Sequence, residues 1–270
     1  MTLFEAKSHG AGPAVCRLLI GYDGTGFRGF AIQPDQRTVE GVLAKALAQV
    51  LHDPVGITCA GRTDAGVHAW GQVVSFDAPP GIEPDRLATS LNGMLGPEIV
   101  VRAAELVAPG FSARRSARWR QYRYTIVNRP YPDPFLARYA WWVPKPLDLS
   151  VLRLASDPFV GEKDFASFSR PPTLGNKSLV RKVVDSTWTD LGDGRLRYEV
   201  RANSFCWQMV RSMVGTMVDV GLGKRRPGDI MGIIRARDRA AAGEPAPPHG
   251  LCLWDVGYDG ERPSSWIPSA

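Results

Sequence analysis

Apolar and polar positions alternate from Val15 to Tyr22, so that Cys16, Leu18 and Ile20 share one face, and the run ends in the turn-forming Asp23-Gly24-Thr25-Gly26. A first strand is predicted there. Thr38 then stands ahead of Val39, Val42, Leu43, Ala46, Leu47, Val50 and Leu51, whose i, i+3, i+4, i+7 spacing is that of a capped, core-facing helix. Ile57 and Cys59, and later Gln72-Val73-Val74-Ser75-Phe76, read as strand on either side of a glycine-bracketed turn. Pro84 opens a short helix carrying Leu87 and Leu91, and Ile99-Val100-Val101 predicts another strand.

The pattern changes phase but not character in the second half. From Arg120 to Val127 the period is two, placing Tyr122, Tyr124 and Ile126 on one face and Arg123, Thr125 and Val127 on the other. Asn128 to Pro134 reads as a connector, Asp148 caps a helix through Leu149, Leu152 and Leu154, and Asp164 to Pro172 reads as an irregular, mobile loop. Leu179–Thr189 and Arg195–Ala202 predict a hairpin turning at Gly192-Asp193-Gly194. Val210, Met213, Val214, Met217 and Val218 predict a strong helix, and Pro227 starts another with Ile230, Ile233 and Ile234 inward. Leu251 to Val256 supplies a last strand. Each half therefore mixes several strands with at least two helices, which predicts two α+β units, residues 14–114 and 115–258, between tails 1–13 and 259–270.

Composition narrows the class. At 270 residues, 44% hydrophobic and 22% charged, the chain has the make-up of a globular protein with ample core. No apolar run is long enough to cross a bilayer and Met1 to Pro13 lacks a signal-like apolar centre, so a cytoplasmic protein with no membrane partner is expected. Cys16, Cys59, Cys206 and Cys252 are far apart and lack ligand spacing, which points to free thiols and no metal. The net charge of +6 suits a polyanionic partner. Basic residues gather at Lys177/Arg181/Lys182, at Lys224/Arg225/Arg226 and at Arg114, Arg115, Arg118, Arg120 and Arg123; the last group is interleaved with Trp119, Tyr122 and Tyr124, cations and flat faces of the kind that bind RNA.

The turn Gly61-Arg62-Thr63-Asp64-Ala65-Gly66-Val67-His68-Ala69 sets a carboxylate beside an arginine between two strands. Glycines at both ends let such a turn present Asp64 and Arg62 into a cleft. With Tyr22-Asp23-Gly24-Thr25, Phe111-Ser112-Ala113-Arg114, Tyr122-Arg123-Tyr124, Asp164-Phe165-Ala166-Ser167-Phe168, Ala202-Asn203-Ser204-Phe205, Met209-Val210-Arg211 and Gly250-Leu251, in that order, the chain resembles the bacterial tRNA pseudouridine synthase A family from about Cys16 to Tyr258. Two positions differ from the family's usual pattern: Gly29-Phe30-Ala31 replaces Gly-Trp-Gln, and Ser112 replaces a histidine.

The resemblance implies two similar α+β domains sharing an extended, mainly antiparallel sheet flanked by helices, with the active cleft between them. It implies a homodimer that isomerises uridine to pseudouridine in the anticodon stem-loop of tRNA, with no metal, nucleotide or other cofactor. By the same match Asp64 is the nucleophile, Arg62 partners its carboxylate and holds the flipped nucleotide, and Tyr122 stacks on the uracil. Arg114, Arg123 and Arg211 are the further candidate RNA contacts. The chemistry suits these groups: the base must leave its stack, an anionic oxygen must act at C1′ or on a ribose proton, and a cation must keep that oxygen charged and aimed.

Overall fold

The computed structural model describes residues 13–170 and 178–259. In the N-terminal half, β1 (Val15–Tyr22) pairs antiparallel with both β3 (His68–Asp77) and β4 (Ile99–Val107), while the two-residue β2 (Thr58–Cys59) pairs with β3. The side chains of Cys16, Leu18, Ile20 and Val74 on one face are fully buried beneath α1 (Val39–Leu51) and α2 (Pro84–Leu95). Thr38 caps α1 as its sequence predicts, its Oγ1 accepting from the Gly41 amide at 3.2 Å.

In the C-terminal half, β5 (Trp119–Val127), β8 (Val180–Asp190) and β9 (Arg195–Ala202) form an antiparallel core, with β7 (Gly161–Asp164) at its edge and β6 (Trp141–Trp142) parallel to β5. The buried face carries Tyr122, Tyr124 and Ile126 from β5 and Leu196, Tyr198, Val200 and Ala202 from β9. It lies against α3 (Leu149–Ser156), α4 (Met209–Gly221) and α5 (Asp229–Ala236), the three α-helices of this half among the described residues. The last strand, β10 (Leu251–Gly257), pairs antiparallel with β5 and parallel with β3, and it joins the halves into one ten-stranded sheet ordered β4-β1-β3-β10-β5-β9-β8-β7. The joint is tight. A methyl group on Gly71 of β3 would lie 2.3 Å from the Trp254 carbonyl oxygen, so the two backbones meet this closely only because position 71 has no side chain.

Three expectations need correction. Residues 164–170 are not a loose loop: Phe165, Ser167 and Phe168 are fully buried, Phe168 meets Phe159 edge to face at 5.0 Å, and Ser167 Oγ donates to the Ile233 carbonyl at 2.6 Å. Closely spaced aromatics without a helical or strand period gave no sign of this packing. The rest of that predicted loop, and Lys177, lie outside the described residues. Leu154 is 59% exposed, because it sits two residues from buried Leu152 and so near the opposite side of α3. The arginine-rich segment is not one surface either, since β5 sends alternate residues to opposite faces: Arg120 is buried, Arg114 and Arg115 are exposed, and Arg123 pairs with Glu199 on the face away from Tyr122.

Candidate active site

The turn between β2 and β3 is held from several sides. Buried Gln72 grips Gly61 with both ends of its amide, Nε2 donating to the Gly61 carbonyl at 2.6 Å and Oε1 accepting from its N–H at 3.3 Å. Tyr22 Oη lies 2.8 Å from Thr63 Oγ1, and the Phe30 amide donates to the Thr63 carbonyl at 3.0 Å. Gly66 adopts φ +76°, a left-handed conformation natural to glycine, which lets Val67 N–H close the turn on the Asp64 carbonyl at 3.1 Å. Arg120 fastens the base of the turn. Its guanidinium makes five hydrogen bonds, all to main-chain carbonyls: two to Ala60 and one each to Arg114, Ala117 and Asn203.

With Thr63 pinned inward, Asp64 projects outward, its side chain 26% exposed. Both carboxylate oxygens meet donors from the C-terminal half. Arg211, in the first turn of α4, donates from Nη1 to Asp64 Oδ2 at 3.2 Å while its Nε is anchored on the Ala246 carbonyl at 2.7 Å. Trp207 Nε1 donates to Asp64 Oδ1 at 3.0 Å from the turn just ahead of that helix. The carboxylate is thus charge-paired and oriented at the junction of the two halves.

Tyr122 lies beside this group. A methyl group on Gly61 would sit 3.6 Å from its hydroxyl oxygen, and its ring meets Phe205 edge to face at 5.0 Å. Burial, then the negative charge of Asp64, pushes the Tyr122 hydroxyl well above the usual phenol range, so at neutral pH it is a protonated phenol. Burial, reinforced by Glu40, also pushes the Cys59 thiol up to about 12, leaving it neutral. His68 closes the far end of the turn: Nε2 lies 2.9 Å from the Arg138 carbonyl oxygen, and Nδ1 lies 3.0 Å from the Gly24 amide nitrogen and 3.1 Å from Asp23 Oδ1, contacts that tie the turn to its neighbours.

The sequence profile of the tRNA pseudouridine synthase family matches residues 18–111 and 155–259. The chain belongs to that family. Named relatives span it almost end to end. The synthase is 45% identical over 243 residues to tRNA pseudouridine synthase A of Bacillus licheniformis, covering 89% of this chain and 97% of that protein. It is 41% identical to that of Bacillus subtilis over the same shares, and 43% identical to that of Brevibacillus brevis over 90% of this chain and 98% of that one. Among solved structures, that of the archaeal box H/ACA sRNP Nop10-Cbf5 complex aligns with a TM-score of 0.36 at 11% identity, over 83% of this chain and 59% of that one. As a member of this family the synthase is an enzyme of the isomerase class.

The structure brings Asp64, Tyr122 and Arg211 together, and it adds Trp207, which the sequence reading passed over. Arg62 is exposed on the same turn, and the side chains that bond the Asp64 carboxylate are Arg211 and Trp207. Arg114 is exposed close to the turn: its carbonyl shares the Arg120 clamp, and its charge is felt at Cys59. Arg123 is turned away from the site, hydrogen-bonded to Glu199 and lying 3.8 Å from the Trp254 ring centroid. Of the two departures from the family pattern, Phe30 is buried against Tyr22, and the Ser112 hydroxyl accepts from the Arg115 amide at 3.4 Å. Both support local packing. No helix among the described residues is long and apolar enough to cross a membrane.

Proposed function

We propose that this synthase converts uridine to pseudouridine in the anticodon stem-loop of tRNA, with Asp64 as its nucleophile. The observation that carries the reading is the half-open Asp64 carboxylate, held by Arg211 and Trp207 and flanked by Tyr122. The reaction breaks the bond from uracil N1 to C1′, turns the freed ring, joins C5 to C1′, and moves the proton of C5 to N1, so no atom is gained or lost. An anionic oxygen serves the first step by bonding to the sugar, by stabilising positive character at C1′, or by taking a ribose proton. Arg211 sets a positive charge against that oxygen and aims it.

Tyr122 offers the uracil a flat, rigid face while it reorients, and its protonated hydroxyl offers a hydrogen bond. Arg62 on the turn and Arg114, whose carbonyl shares the Arg120 clamp, are exposed cations that would meet phosphates of the flipped strand. Eversion of the base costs a few kcal/mol, least in a loop, and phosphate contacts by a chain of net charge +6 offset it. Action as a homodimer in the cytoplasm, on units 14–114 and 115–258, belongs to the same reading and rests on the family resemblance.

Site-resolved mapping of pseudouridine on an unmodified tRNA transcript, before and after incubation with the purified enzyme, tests substrate and reaction together. New pseudouridine confined to the anticodon stem-loop is expected. Free uracil in its place would mean hydrolysis, and modification only elsewhere in the tRNA would refute the substrate site.

A further inference from the structure

Trp207 is 43% exposed, so its ring is not there to fill the core. Its position is nonetheless fixed. It stands in the turn from Cys206 to Met209, where the Met209 amide donates to the Cys206 carbonyl at 3.2 Å and Gln208 takes the left-handed φ of 61°. The Arg170 amide donates to the Trp207 carbonyl at 3.0 Å, and the Arg170 guanidinium carbon sits 4.4 Å from the indole ring centroid. The backbone and one ring face are therefore tied down, and the single N–H of the side chain is spent on Asp64 Oδ1.

A carboxylate held by one donor can still rotate about its Cβ–Cγ bond. Arg211 on Oδ2 alone would leave that freedom, whereas a second donor on Oδ1 removes it and directs the remaining lone pairs to one region of the site. We propose that Trp207 is a positioning residue for the isomerisation: its indole N–H, braced by Arg170, sets the rotation of the Asp64 carboxylate so that an unengaged lone pair meets the nucleoside. This rests on the reading of Asp64 as the nucleophile. It assigns the work to the N–H rather than to the apolar ring, and that distinction is testable.

Single-turnover rates of pseudouridine formation and tRNA dissociation constants would be measured for the wild type, Trp207→Phe, Trp207→His and Asp64→Asn. Phenylalanine keeps an aromatic face for Arg170 and removes the donor; histidine restores a ring N–H. The expected result is a rate loss of roughly 10- to 100-fold in Trp207→Phe, the scale at which misplaced catalytic groups cost, with tRNA affinity within about twofold of wild type and a rate at least partly recovered in Trp207→His. A wild-type rate in Trp207→Phe would overturn the proposal. So would equal impairment of the two variants, or a loss in Trp207→Phe explained by weaker tRNA binding, which would make the indole an RNA contact. Activity retained by Asp64→Asn would instead sink the reading of the nucleophile, separately from any result at Trp207.

Discussion

The two arginines near Asp64 differ in what they touch, and this gives them different predicted phenotypes. Arg211 bonds the carboxylate from a side chain only 14% exposed, whereas Arg62 is exposed on the turn. Arg211→Met is expected to lower the single-turnover rate by roughly 100-fold or more while tRNA binding holds, because it removes a preorganised charge from the reacting group. Arg62→Ala is expected to weaken tRNA binding and its salt dependence more than the rate on saturated enzyme. Equal effects of both on the rate would contradict the assignment. The thiols give a second test. Burial pushes Cys16, Cys59 and Cys252 each to about 12. With those values well above pH 8, very little thiolate is present, so these three should react with a thiol-disulfide reagent only after unfolding, when all four cysteines are released. Rapid native reaction of more than one thiol would be the contrary result.

At this scale Asp64 was legible as a candidate because the surrounding motifs match a family, a carboxylate among turn glycines being commonplace by itself. Its partners were not. Trp207 lies 143 positions from Asp64 and Arg211 lies 147, and no local pattern encodes a contact at that range. Arg62 was the nearest cation in sequence, but its own turn carries it to the surface.

Among the elements, periodicity located β1, β5, α1 and α4 well, because each buries one face and so writes its period into the chain. It could not show β6 or the parallel pairing of β3 with β10, where two residues or two register pairs leave too short a pattern. Nor did it separate Arg120 from its basic neighbours, although that residue links β5, the chain before it, the start of the Asp64 turn and the loop after β9. Arg120→Met relieves the desolvation of a buried cation, which burial already disfavours, but strands carbonyls at roughly 1–3 kcal/mol each. Four carbonyls against one charge make the second effect larger. Denaturant unfolding should show a net loss of about 3 kcal/mol, and a variant as stable as wild type would deny Arg120 this role.

For the whole molecule, the decisive feature is that one sheet runs through both halves, so a carboxylate from the first half and its donors from the second keep a fixed relation. The β3–β10 joint carries that relation. Gly71→Ala places a methyl group against the Trp254 carbonyl and should cost about 1–3 kcal/mol in stability while also lowering the rate, since the strands can accept it only by moving apart. Unchanged stability and rate would show that the joint has slack. The account turns, in the end, on the carboxylate itself, and Asp64→Asn tests it with almost no change of shape. Single-turnover assay of this variant on an anticodon stem-loop substrate, with binding measured in parallel, should show tRNA retained and pseudouridine formation reduced by at least roughly 1,000-fold, the scale of losing a covalent catalyst. Turnover near that of the wild type would contradict it.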